Sequence, residues 1–546
     1  MSPSSHAQTG GTALDPARPG NSAPGGEATG ALVRCPVGVA TVCALVAALL
    51  VEAAPVVGGD LTAKQWWASW ASTNGAPVDL GWYGGVPVVS YSLLSPWAGA
   101  LLGLPLVGIL GTVLGAASTT VLLGRLRPSR ARWTAAGVVA AATWAADQWS
   151  GRTTFGLGAA IAVVALVVAG GRRRVVAGPA AGVLAAVAGA TSPLASVFLL
   201  VAAAAWWWGA GHTSRLRPAG PWWIAAGALL PVVLARGLGA VSGPEPASAH
   251  QMLAALAAVG LTWALVPAAQ RVLRAGIVLT AVLLLLTWTT ADPVGSNSVR
   301  LVLLFAVPVL VAVARTDLVA TALAALAITV LLPPVLTADM VPRDPAAAGE
   351  RTQSLLDELA QRGPVGRIEV VPMHGHEEST EVAATVPLAR GWLRQLDTGR
   401  NPLFYDGSLD APRYLRWLRE TGVSYVALPR GPLDWPSGRE ASLLRRGVPG
   451  VHEVWADRWW RLFHVPGGGV VPVGGALVSS DRSRLIVDVG APGQVEVAVW
   501  WSRWASLRGP DGCVRPGHRD GWTTIVAARP GRYVLTSSWR PSGRCE

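Results

Sequence analysis

The residues best suited to chemistry concentrate between Gly58 and Ser92, in GGDLTAKQWWASWASTNGAPVDLGWYGGVPVVSYS. This stretch holds two carboxylates (Asp60 and Asp79), the one lysine of the sequence (Lys64), and Trp66, Trp67, Trp70, Trp82 and Tyr83. Asp60 stands before LTAKQWWASWAS as an N-cap stands before a helix, and Lys64 follows at the spacing of a helical ion pair. Trp66 and Trp70 share a face suited to the headgroup level of a membrane. A carboxylate so held, at the mouth of a membrane cavity, is also placed to take a proton from a hydroxyl. Asp79 reads as a substrate contact or a solvated turn residue. Trp82 and Tyr83 read as a stacking platform for a sugar or as interfacial anchors.

Three arginines outside this stretch extend the pattern. Arg152, Arg236 and Arg300 fall on the side of the membrane that is otherwise poor in basic residues, at the depth expected of Asp60. Arginine forks match phosphate oxygens; the plainer reading is single arginines snorkelling to the surface. Asp147 reads as a partner for Arg152, and Glu52, inside the first apolar run, as a functional carboxylate or one paired with a nearby arginine. Further on, LARGWLRQLDTGRNPLFYDG gathers Arg390, Trp392, Arg394, Asp397, Arg400 and Tyr405, a composition that fits a glycan or phosphate surface or a solvated helix. His374 and His376 form H-x-H before Glu377 and Glu378, but no second cluster and no C-x-x-C completes a metal site.

These residues need a scaffold, and the composition indicates which. The 546 residues are 51% hydrophobic and only 14% charged, where a soluble domain carries about 25%. About eleven apolar runs follow one another, at 36–57, 97–123, 133–149, 153–170, 175–190, 193–210, 221–240, 251–267, 275–290, 298–314 and 317–337. The expected fold is therefore an α-helical polytopic membrane protein. With the N-terminus inside, the inner loops carry Arg125, Arg127, Arg130 and Arg132, then Arg172, Arg173 and Arg174, Arg215 and Arg217, Arg271 and Arg274, and Arg315. The outer connections carry Lys64, Arg152 and Arg300, as the positive-inside rule requires. That bias accounts for the net charge of +12, and no nucleic-acid module is recognisable.

The expected organisation is a disordered cytoplasmic tail at 1–33, a transmembrane domain at 34–337 with its first outer loop at 58–92, and an extracytoplasmic C-terminal region. From residue 338 on there are 26 Arg and 23 Asp or Glu, a balance typical of soluble protein. Residues 338–465 read as an α/β unit and 466–546 as a β-sandwich with alternating strands. Outside the cell Cys513 and Cys545 are able to pair.

An inner N-terminus, one span, then Gly-Asp and a tryptophan-bearing helix resemble the C-type glycosyltransferases, polytopic enzymes that use lipid-phosphate-linked sugars. The segments GWYGGVPVVSYSLLSPWAGALLG, QWSGRTTFGLG, ATSPLASVFLL and RGWLRQLDTGRNPLFYDGSLDAPRYLRWLRETGVSYVALP resemble a group of bacterial membrane proteins labelled 6-pyruvoyl-tetrahydropterin synthase-related. The first resemblance implies that Asp60 is a first-loop catalytic acid, although Leu61 follows it where the common pattern has a second acid, and no W-W-D-x-G motif occurs. It implies a plasma-membrane enzyme moving a sugar from an isoprenoid phosphate to a cell-envelope glycan. Arg152, Arg236 and Arg300, or a divalent metal, would offset charge on the departing phosphate. A multispan transporter and a non-catalytic glycan-binding envelope protein are the alternatives.

Overall fold

The computed structural model describes residues 35–545 apart from 74, 172–173, 211–218, 472 and 519–520. The tail assigned to 1–33 and the loop positions Arg172, Arg173, Arg215 and Arg217 lie outside the described residues.

Helix α1 (Pro36–Ala53) leads through strand β1 (Val56–Gly58) into α2 (Leu61–Thr73). Two short strands, β2 (Val78–Asp79) and β3 (Val86–Pro87), pair antiparallel before α3 (Ser95–Leu102) and α4 (Leu104–Gly124). The apolar run expected as one span at 97–123 is thus two helices, because Gly103 takes a left-handed φ of 77° that breaks the ladder. There follow α5 (Arg130–Trp149), α6 (Thr153–Ala169), α7 (Arg174–Thr191), α8 (Pro193–Gly209), α9 (Gly220–Gly237), α10 (Ala249–Leu265), α11 (Arg271–Thr289), α12 (Arg300–Val313) and α13 (Leu318–Leu331). Among the described residues, four helical stretches are long and apolar enough to cross a membrane: Pro36–Ala53, Leu104–Gly124, Arg271–Thr289 and Gly295–Val313.

Small residues let these helices approach closely. A Cβ on Gly111 of α4 would stand 2.9 Å from the Leu157 backbone nitrogen of α6. On the outside, Leu50, Val319, Leu323 and Val330 are exposed, a surface that a water-soluble chain would avoid.

The C-terminal part is mixed and strand-rich. Strand β4 (Met340–Pro342) pairs with β1, so this part is stitched to the first helix connection. Helix α14 (Pro345–Ala360), capped by Asp344, leads to β5 (Ile368–Val370), α15 (Arg394–Arg400), α16 (Ala411–Glu420), β6 (Tyr425–Pro429), α17 (Gly438–Arg446), β7 (His452–Ala456) and β8 (Trp460–His464). The sheet order is β5-β6-β8-β7, parallel at β5/β6 and antiparallel elsewhere. Helix α16 forms because Asp410 accepts a hydrogen bond from the Arg413 amide at 2.8 Å and Tyr414, Trp417 and Leu418 make one buried face.

Beyond it, two antiparallel sheets pack face to face. One has the order β12-β15-β10-β9 and the other β11-β14-β13, with β9 at Ala476–Ser480, β10 at Arg484–Val489, β11 at Gly493–Trp500, β12 at Ala505–Arg508, β13 at Gly512–Pro516, β14 at Trp522–Ala527 and β15 at Gly531–Ser537. Alternate residues of β10 (Leu485, Val487 and Val489), with Leu535 of the neighbouring β15, turn inward against Val495 and Ile525 of the facing sheet. Cys513 and Cys545 form a disulfide with Cα atoms 4.9 Å apart.

The stretch 58–92 lies between the helices and the mixed sheet. Trp67, Trp70 and Trp82 are fully buried and Trp66 nearly so, in one core with Ile368, Val370 and Trp460. This corrects the expectation of an interfacial aromatic belt: the Trp66–Trp70 face packs on protein. Trp66 stacks on Trp82 with ring centroids 5.0 Å apart.

Candidate functional site

Asp60 opens α2 on a turn fixed from several sides. The Gly59 amide donates to the Asp339 carbonyl at 3.1 Å, the Trp392 indole donates to the Gly59 carbonyl at 3.1 Å, and the Thr62 hydroxyl donates to the Gly375 carbonyl at 2.9 Å. On the helix side the turn meets the α5–α6 corner backbone to backbone. A Cβ on Gly58 would collide with Ser150, and one on Gly151, whose φ is +74°, would stand 2.5 Å from the Gly58 oxygen and the Leu61 nitrogen. Only glycine at both positions allows this approach, and it brings the next residue, Arg152, against Asp60.

The Asp60 carboxylate is shared. Its Oδ2 lies 3.5 Å from Arg152 Nε and 3.4 Å from Arg300 Nη2, with side-chain exposures of 29% for Asp60 and 17% for each arginine. The cluster is therefore partly open rather than sealed. Lys64, one turn along α2, acts on the same carboxylate. Burial alone would raise the Asp60 carboxyl, but Lys64, Arg300 and Arg152 outweigh it and hold it well below the usual carboxylate range. Burial lowers the Lys64 ammonium while Asp60 opposes that shift. Arg300 also sits 5.1 Å above the Phe155 ring. Arg152, Arg300 and Lys64 thus converge on the one Asp60 carboxylate, while Asp147 and Glu245 act on Arg300 from further off. A partly exposed cluster of cations around a fixed carboxylate suits a phosphate next to a hydroxyl.

Other expected residues stand elsewhere. Asp79 is fully buried; its Oδ2 accepts from Arg482 Nη2 at 2.7 Å and its Oδ1 from the Gly81 amide at 2.7 Å. Burial raises its carboxyl and Arg482 opposes the shift, so both oxygens serve a structural pair rather than a substrate. Trp82 is buried and its indole donates to Ser379; the Tyr83 hydroxyl donates to the Gly391 carbonyl at 2.7 Å. Neither offers a face to a sugar. Arg390 is buried between Glu369 and Glu440. Trp392 stacks on His376, with ring centroids 3.6 Å apart, and Arg394 lies over its ring at 4.7 Å. Arg394 is held by Asp434 at 2.6 Å and the Tyr405 hydroxyl at 3.0 Å. Arg236 is exposed in the last turn of α9 and makes no ion pair among the described residues.

Glu52 pairs with Arg343 at 3.8 Å and accepts from Gln148 at 2.7 Å, the arginine partnership expected of it. Asp147 differs from expectation: it makes no ion pair with Arg152 among the described residues, and its buried Oδ2 has no hydrogen-bond partner. Among the described residues no group of three or more His, Cys, Asp or Glu side chains gathers to hold a metal. His376 instead stacks on Trp392 and lies 3.4 Å from Glu378 and 3.6 Å from Asp434.

One carboxylate had no motif to mark it. Glu245, between α9 and α10, has one oxygen 3.4 Å from the Ser296 hydroxyl and the other buried without a partner. Burial pushes its carboxyl up to about 7 against the pull of Arg394 and Arg300, and Asp60 adds to the rise. Its loop is clamped by Glu245 N to Asp292 O at 2.8 Å and Val241 N to the Ser90 hydroxyl at 2.9 Å.

Comparison with protein-family models and with curated proteins returns no match. Among solved structures, the chain is similar to a cryo-EM structure of a mutant of the arabinofuranosyltransferase AftD from Mycobacteria, at 15% identity and a TM-score of 0.44. The likeness covers 92% of this chain and 60% of that one, so the chain spans less than two thirds of that protein's length.

Proposed function

We propose that this chain is a multi-pass plasma-membrane glycosyltransferase that moves a sugar from an isoprenoid-phosphate donor to a cell-envelope glycan on the outer face. The observation that carries the reading is the Asp60 carboxylate shared by Arg152 and Arg300, with Lys64 one turn away. In this reading eleven helices cross the membrane, the N-terminus is inside, and the chain from about 338 is outside. The arginine bias of the loops supports that orientation, and the Cys513–Cys545 disulfide fits an oxidising compartment.

The donor phosphate takes the position between Arg152, Arg300 and Lys64. The acceptor hydroxyl lies against Asp60. Its oxygen forms the bond to the anomeric carbon, the carbon–oxygen bond to phosphate breaks, and the isoprenoid phosphate leaves with the electron pair. The acceptor proton passes to Asp60. In the free protein that carboxylate is a weak base, because its cations hold it ionised. The phosphate competes for the same guanidiniums, so donor binding loosens their hold and makes Asp60 a better proton acceptor. The cations then stabilise the charge developing on the leaving group.

Purified protein in liposomes, given a radiolabelled isoprenoid-phosphate sugar and an envelope glycan, should transfer label. Cysteines placed at exposed positions of 58–92, such as Ser72 and Thr73, and at exposed positions beyond 338 should react with an impermeant reagent in intact cells, and cysteines at 125–132 should not. Labelling of 125–132 from outside would overturn the orientation and the site's placement with it.

A further inference from the structure

The helices flank a second feature, separated from the Asp60 cluster by Phe155 and Phe198: a half-open apolar cavity of about 580 Å³ walled by α4, α6, α8, α10, α11 and α12. Protein interiors close-pack, and a dry apolar cavity of about 150 Å³ already takes up a small hydrocarbon. A void several times larger, between apolar helices, calls for an apolar occupant.

The two ends of the cavity differ. Phe198 lines it and meets Phe155 edge to face at 5.8 Å, and Arg300 lies over the Phe155 ring. The aromatic pair thus stands between the cavity and the Asp60 cluster. At the opposite end Arg125 is the one charged residue of the lining. Its Nη2 donates to the Val167 carbonyl at 2.6 Å, and it crosses Gly170, where any side chain would collide with it. The guanidinium is therefore fixed at the mouth, exposed, near Arg127 and Arg130 in the sequence.

We infer that this cavity holds one hydrocarbon chain of an anionic phospholipid whose phosphate meets Arg125, at the membrane surface opposite Asp60. The inference rests on the membrane reading but not on sugar transfer. The hydrocarbon chain supplies the contacts that the apolar walls miss across the cavity, and the fixed arginine supplies the charge-assisted contact that selects an anionic head. A donor isoprenoid phosphate, by contrast, would put its phosphate at Arg300, on the other side of the phenylalanine pair.

The test is native mass spectrometry of the full chain released from membranes, with lipid extraction of the same samples. Wild type should retain a phospholipid through detergent exchange. Gly276→Phe and Val309→Trp, which fill the cavity from two different helices, should each lose it. Two independent fillings guard against one variant simply misfolding, and the melting profile of each is recorded. Arg125→Gln should keep the chain site but lower the preference for phosphatidylglycerol over phosphatidylcholine roughly fivefold. Unchanged lipid retention in both filled variants would overturn the inference. So would a retained isoprenoid phosphate in place of a phospholipid, or an unchanged headgroup preference in Arg125→Gln. Each of these outcomes leaves the transfer assay to be judged on its own.

Discussion

Removing Asp79 should loosen the β-sandwich rather than weaken substrate binding. The Asp79 side chain has no exposure and Arg482 has 13%. The pair joins the helix-connecting stretch to the sandwich, and the Leu80 amide donates to the Arg482 carbonyl at 2.8 Å beside it. In Asp79→Ala the guanidinium keeps its stacking on Trp66, at 3.8 Å, but loses its carboxylate. Breaking a buried pair from one side typically costs about 3–5 kcal/mol; Arg482 retains some water and an aromatic face, so the lower end, about 3 kcal/mol, applies. Because the chain has several packed units, one global melting point does not describe it. The assay is hydrogen exchange and limited proteolysis across 476–537 at matched temperature. A loss of about 3 kcal/mol raises the open population roughly 100-fold, which exchange in β9 and β10 should register. Unchanged exchange there together with a raised KM for donor or acceptor would instead make Asp79 a binding residue.

Other outcomes follow from the same geometry. Arg152→Gln removes one phosphate contact and should raise KM for donor roughly 10- to 100-fold, a charge-assisted hydrogen bond being worth about 1.5–3 kcal/mol; substrate titration of the transfer rate checks it. Glu245 has a carboxyl raised from 4.5 to about 7, so the folded state favours the protonated form. Its stabilising contribution is complete below about pH 4.5 and is lost as pH rises through 7. Glu245→Gln should therefore match wild type at low pH and slow local hydrogen exchange in the loop between α9 and α10 at pH 8; equal exchange at pH 8 would contradict this. Replacing Cys513 and Cys545 by serine opens a link between positions 32 residues apart and should destabilise the sandwich by about 3–4 kcal/mol, read by proteolysis of the C-terminal region.

The sequence showed the helices clearly, because apolar runs bounded by arginines leave few other folds, and it showed the sandwich because Leu485, Val487 and Val489 alternate. It also led to Arg152 and Arg300, which break the charge bias of the loops. Arg236 carried the same signal and sits apart, since loop charge reports depth along the membrane normal and not position around the bundle. The tryptophans of α2 misled for a related reason: an amphipathic aromatic face is the same in sequence whether it packs on lipid or on Ile368 and Trp460. Asp79 and Arg482 are 403 residues apart, and no local pattern joins them. Arg390 and Trp392 looked like a binding surface because solvent and core arginines read alike until Glu369, Glu440 and His376 are seen beside them. Glu245 had no periodicity or motif, and its importance arises only from the burial its loop acquires.

In the proposed reaction Asp60 takes the acceptor proton beside a phosphate held by Arg152 and Arg300. Donor binding and sugar transfer, measured in parallel for wild type and Asp60→Asn in liposomes, separate that role from phosphate binding. Among the described residues no α2 amide donates to the Asp60 carboxylate, whose contacts are Arg152 and Arg300, and asparagine keeps its shape, so α2 should stay in place. Donor binding should be retained or tighter, since the arginines lose their competing carboxylate, while transfer should fall by about 10²–10⁴. Transfer at the wild-type rate by Asp60→Asn, with donor binding unchanged, would contradict the account.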